Sequence, residues 1–84
     1  MIFAGQVQGV GFRYTTCRIA GQFSIKGYVR NMPDGRVECV AEGTGEDLAS
    51  FVTTLHQAMR DYISDCQTLK CPSDDKLDGF SVKF

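Results

Sequence analysis

Near the start of the chain, Gly5-Gln6-Val7-Gln8-Gly9-Val10-Gly11-Phe12-Arg13 places a glycine-punctuated turn directly before a helical pattern. Successive backbone N–H groups in such a turn can point into one concavity, and the start of a helix adds partial positive charge, which together make a cradle for a small anion. Gly9 and Gly11 would let the main chain approach a ligand with no Cβ in the way. Arg13 falls in the first helical turn, where its guanidinium offers a donor fork suited to phosphate oxygens. An arginine at a helix start is also an ordinary surface residue, so spacing alone leaves an anion site and a plain surface loop both open.

Other residues with chemical potential are explained by structure. His56 is the only histidine and lies beside the apolar stripe of a helix, where a solvent-facing position is expected. Cys17, Cys39, Cys66 and Cys71 form no CxxC pair and have no histidine cluster near them, so neither a zinc site nor a redox motif is indicated. Free thiols are expected, although a local turn would permit a Cys66 to Cys71 bridge. No metal and no cofactor is expected. Asn31, ahead of Pro33-Asp34-Gly35, reads on its own as a turn residue tolerant of left-handed φ.

Elements that would position these groups follow from periodicity. Met1 to Gln8 reads as a first strand. Phe12, Thr16, Ile19 and Phe23 then fall on one helical stripe that should stop near Ser24. Ile25 to Asn31, rich in β-branched and aromatic residues, reads as a second strand, and Pro33-Asp34-Gly35 supplies hairpin chemistry. In the third strand Val37, Cys39 and Ala41 alternate with Arg36, Glu38 and Glu42, as when one sheet face is covered and the other wet. Thr44 can cap a second helix whose apolar face runs through Leu48, Phe51, Val52, Leu55, Met59 and Tyr62. Ile63 to Gly79 is polar and hard to assign, with room for a short extra strand, and Phe80, Val82 and Phe84 alternate as a last strand. The order β-α-β-β-α-β predicts an α+β, ferredoxin-like sandwich: an antiparallel-rich sheet with two helices on one face.

Length and charge narrow the function classes. Eighty-four residues make one domain, spanning residues 1–84, with room for one core and one site. The longest uncharged apolar stretch, within Met1 to Gly11, is broken by Gln6 and Gln8 and resembles neither a membrane span nor a signal peptide, so no membrane and a cytoplasmic location are expected. The net charge of −1 divides unevenly: residues 1–37 hold five bases and one acid, the remainder four bases and nine acids. A positive first half can gather a small anion, whereas the acidic second half argues against a long nucleic-acid footprint.

The run GQVQGVGFR resembles the acylphosphatase signature G-x-V-Q-G-V-x-F-R without a mismatch. Gly27-Tyr28-Val29-Arg30-Asn31-Met32-Pro33-Asp34-Gly35-Arg36-Val37 resembles the family's second signature, and Gly43 stands where that pattern continues with glycine. The resemblance implies hydrolysis of acyl phosphates by direct in-line water attack, without metal or cofactor. It implies that Arg13 binds the phosphoryl group and that the amides of Gln8, Gly9, Val10, Gly11, Phe12 and Arg13 surround it. Asn31 would orient the water, since a carboxamide accepts no proton near neutrality. A monomer binding a small acyl phosphate is expected, with a phosphate or sulfate ion able to occupy the site. The chain departs from the family in having only four residues ahead of the first motif and in carrying Met32 where some relatives have a hydroxyl beside the asparagine.

Two rival readings share the element order. An RNA-recognition module needs aromatics on its central strands, and Arg36 to Glu42 contains none. A non-catalytic or carbamoyl-phosphate-handling domain, similar to the N-terminal part of hydrogenase-maturation carbamoyltransferases, would contain the same anion cradle.

Overall fold

The alternation around Val37 and Cys39 becomes a strand in which those two residues are fully buried, and the rest of the sheet is built around it. A computed structural model describes residues 1–9, 11–68 and 77–83. Its elements are β1 (Ile2–Gly5), α1 (Phe12–Ala20), β2 (Lys26–Asn31), β3 (Val37–Glu42), α2 (Gly45–Ala58), β4 (Ile63–Gln67) and β5 (Phe80–Lys83). They form a five-stranded sheet of order β4-β1-β3-β2-β5, in which β1 runs antiparallel to β3 and β4, and β2 antiparallel to β3. The outer strand β5 pairs parallel with β2, placing Phe80 beside Gly27 and Val82 beside Val29.

Register decides what each sheet face carries. Phe3 opposes Val37 and Val29 opposes Cys39, so these four share the inner face and are fully buried. Phe12, Thr16, Ile19 and Ala20 of α1, with Phe51 and Leu55 of α2, close over that face, and both helices therefore lie on one side of the sheet. The Thr16 hydroxyl, buried among apolar groups, donates to the Phe12 carbonyl at 2.7 Å, which removes the cost of burying it. Tyr28, Arg30 and Glu38 alternate onto the outer face, where Arg30 pairs with Glu38 at 2.7 Å.

Several boundaries differ from the sequence-based expectation. The first strand ends at Gly5 rather than Gln8, because Gly5 takes φ +122° and the ladder with β4 shifts between Ala4 and Gly5. That shift releases the chain after Gly5 from the ladder. α1 ends at Ala20, ahead of Ser24, in a turn closed by Gln22 N–H donating to the Ile19 carbonyl at 2.9 Å. The apolar face of α2 ends at Met59, and Tyr62 lies beyond the helix, 40% exposed. The largest difference is at the C-terminal end: Ile63–Gln67 supplies the fourth strand of the βαββαβ order, and Phe80–Lys83 is a fifth strand added beyond β2. Phe84, read as part of the last strand, lies outside the described residues. None of the helices is long and apolar enough among the described residues to cross a membrane.

Candidate active site

The loop between β1 and α1 is shaped by two left-handed glycines, Gly9 at φ +81° and Gly11 at φ +74°. Gly11 is the N-cap of α1 and provides no side-chain acceptor, and no acidic residue occupies the first turn. α2 is the opposite case: the Thr44 hydroxyl accepts from the Asp47 N–H at 3.1 Å, and Glu46 and Asp47 follow. Of the two helix starts, only that of α1 keeps its positive end unspent, and it faces the glycine loop.

A cleft of about 410 Å³ opens there, lined by Val7, Gly9, Gly11, Phe12, Arg13, Tyr14, Asn31 and Val82. Arg13 and Asn31, eighteen positions apart in sequence, thus border one hollow. Asn31 ends β2 on the inner face, in register with Val37, so its side chain emerges at the edge of the core. Its Oδ1 is buried and accepts no hydrogen bond among the described residues. A buried acceptor left open in this way is costly unless something else fills the position.

Gln8 has a role that its place in the loop did not suggest. Its Nε2 donates to the carbonyls of Met32 at 2.9 Å and Arg36 at 3.0 Å, tying the glycine loop to the neck of the β2–β3 hairpin. Within that hairpin Met32 N–H donates to the Arg36 carbonyl at 2.7 Å, and Gly35 N–H to the Met32 carbonyl at 3.1 Å. Met32 therefore braces its neighbour Asn31 through its main chain, in a slot where some relatives use a hydroxyl. The Gln8 side chain is committed to the hairpin, and Gln8 is not among the residues that line the cleft. Gly9, Gly11, Phe12 and Arg13 line the cleft, and Val10 lies outside the described residues. Val7, Tyr14 and Val82 are additional lining residues. Val82 arrives from β5, and nothing in the sequence placed that strand beside the loop.

Two other arginines of the first half form ion pairs away from the cleft. Arg36 pairs with Asp34 at 2.7 Å, and this ion pair, with the Arg36 N–H, holds the Asp34 carboxyl below its ordinary value. Arg30 is engaged by Glu38 on the far side of the sheet, whose hydrogen bond raises its pKa. His56 corrects the expectation of a solvent-facing ring: it is half-buried, tilted against Phe3 with centroids 5.7 Å apart. Cys17, Cys39 and Cys66 are free thiols, Cys71 lies outside the described residues, and burial pushes the Cys39 thiol up to about 12, which makes it inert. Among the described residues no three His, Cys, Asp or Glu side chains converge as metal ligands. On the outer sheet face Tyr28 is the one aromatic among the described strand residues, and Lys83 Nζ covers its ring at 4.1 Å, so no base-stacking platform is exposed.

Comparison with known proteins bears on the family and the fold. The sequence profile of the Acylphosphatase family matches residues 1–82. An acylphosphatase of Trichormus variabilis is 40% identical over 79 residues, covering 94% of this chain and 78% of that protein. The crystal structure of acylphosphatase from Bacillus subtilis superposes with a TM-score of 0.87 at 34% identity, covering 99% of this chain and 93% of that one. HypF from T. kodakarensis also contains the fold, with a TM-score of 0.82 and 30% identity, but there the match spans only 11% of a much larger chain. The chain belongs to the acylphosphatase family and is an enzyme that hydrolyses acyl phosphates.

Proposed function

We propose that Arg13 and the amides of the Gln8–Arg13 loop bind the phosphoryl group of the acyl phosphate, while Asn31 aligns the attacking water. The observation that carries this assignment is that Asn31 and Arg13 border one cleft together with the left-handed glycines Gly9 and Gly11. A water held by the Asn31 carboxamide would lie beside a phosphoryl group seated on the loop. Its oxygen attacks phosphorus in line, the bond from phosphorus to the acyl oxygen breaks, and the electron pair departs with the carboxylate. A phosphoryl oxygen takes the water's proton.

Carboxylic acids ionise near pH 4, so the leaving group departs without protonation and the site needs no general acid. What remains is positioning and stabilisation of charge on the equatorial oxygens, which a fixed guanidinium and oriented amides supply. The reading extends to a monomer that accepts free phosphate or sulfate in the cradle. It also extends to a reducing, cytoplasmic setting, in keeping with three free thiols among the described cysteines.

The test is hydrolysis of benzoyl phosphate in the presence of a chelator, with inorganic phosphate as competitive inhibitor. Arg13→Gln is expected to lose about 10³-fold in kcat/KM, and Asn31→Ala about 10²-fold, chiefly in kcat. Circular dichroism should show both variants folded. Unchanged turnover in Arg13→Gln refutes its role.

A further inference from the structure

In-line displacement sets the nucleophile and the leaving group on opposite sides of phosphorus. Given the assignment of Asn31 under the proposed function, on which this inference rests, the water lies on the Asn31 side of the cleft, whose lining includes the fully buried Val7 and Phe12. The acyl group must then leave toward the open end. Of the apolar lining residues, Val7 and Phe12 are 1% exposed and form the back wall, so they offer no surface to a ligand at the mouth. Val82 is half-buried, and Tyr14 is 73% exposed, the most exposed large hydrophobic residue among those described.

Tyr14 follows Arg13 in the first turn of α1, so the group that binds the phosphoryl end and this aromatic ring are carried by one rigid element. We propose that Tyr14 is a specificity-determining residue that receives the acyl group, with Val82 beside it, so that the enzyme favours acyl phosphates with a planar or bulky apolar acyl portion over acetyl phosphate. An aromatic face offers such a group contact area and quadrupole attraction, whereas a methyl group covers little of it. The interaction needs the ring and not its hydroxyl, which distinguishes Tyr14→Phe from Tyr14→Ala.

The experiment measures kcat/KM for benzoyl phosphate and acetyl phosphate with the wild type, Tyr14→Ala and Tyr14→Phe. The benzoyl-to-acetyl ratio is expected to fall about 3- to 10-fold in Tyr14→Ala, mainly through KM for the benzoyl substrate, and to be retained in Tyr14→Phe. Comparing one ratio across variants cancels the intrinsic difference in reactivity between the two substrates. An unchanged ratio, or equal losses on both substrates, overturns the role of Tyr14 while leaving the hydrolase assignment standing. A wild-type protein that hydrolyses neither substrate overturns both.

Discussion

Gln8 shows how one side chain can join two parts of a site without touching substrate. Its two Nε2 protons reach two carbonyls of the hairpin that presents Asn31, while its main chain belongs to the loop that carries Gly9 and Gly11. Gln8→Met keeps the length of the side chain and removes both donors. The Met32 and Arg36 carbonyls retain partners in Gly35 and Met32, so neither is orphaned. The expected loss of stability is about 1–2 kcal/mol, the net worth of two neutral hydrogen bonds, read from urea unfolding. Turnover should fall by about 10-fold or more, since a slack hairpin moves the water relative to phosphorus. Full activity in Gln8→Met would show that the hairpin holds its position unaided.

At the scale of elements, the glycines separate into those required by packing and those required by the site. Gly27 sits in β2 at φ +145°, and a Cβ there would overlap the Val40 carbonyl of β3. Gly27→Ala must therefore push β2 away from β3, at a cost of about 3 kcal/mol or more, seen as a lower urea midpoint. Gly11 differs: its φ is +74°, but a Cβ would meet nothing within 4 Å. Gly11→Ala should cost only about 1–2 kcal/mol of backbone strain, yet lose activity out of proportion because Gly11 lines the cleft. Equal losses of activity in the two variants, once both are folded, would argue against the loop as a phosphate cradle.

For the whole molecule, one core under one sheet leaves a narrow stability margin, in which a bound ligand is a visible contribution. Inorganic phosphate at ten times its Kd would stabilise the native state by about 1.4 kcal/mol, and for a chain of this size that raises Tm by several degrees. The shift is expected in wild-type protein and in Tyr14→Ala, and is expected to vanish in Arg13→Gln. A shift of equal size in Arg13→Gln would mean that phosphate binds elsewhere.

The sequence by itself determined the pieces whose structure is local or periodic. The capping residue Thr44, the alternation in β3, the stripe on α1 and the Pro33-Asp34-Gly35 turn each encode their own geometry through side-chain spacing or backbone restriction. The two signatures likewise pointed to Arg13 and Asn31, and both line one cleft. Tertiary structure decided what depends on long-range pairing. β4 was hidden because, as an edge strand, Ile63–Gln67 half-buries only Ile63 and Cys66, and is held by backbone bonds to β1 that any sequence can make. Val82 reached the cleft through the parallel pairing of β5 with β2, and Gln8 found its carbonyls across 24 and 28 residues of chain. Spacing along a chain records which face of its own element a residue occupies; which other element lies opposite is settled only when the sheet closes.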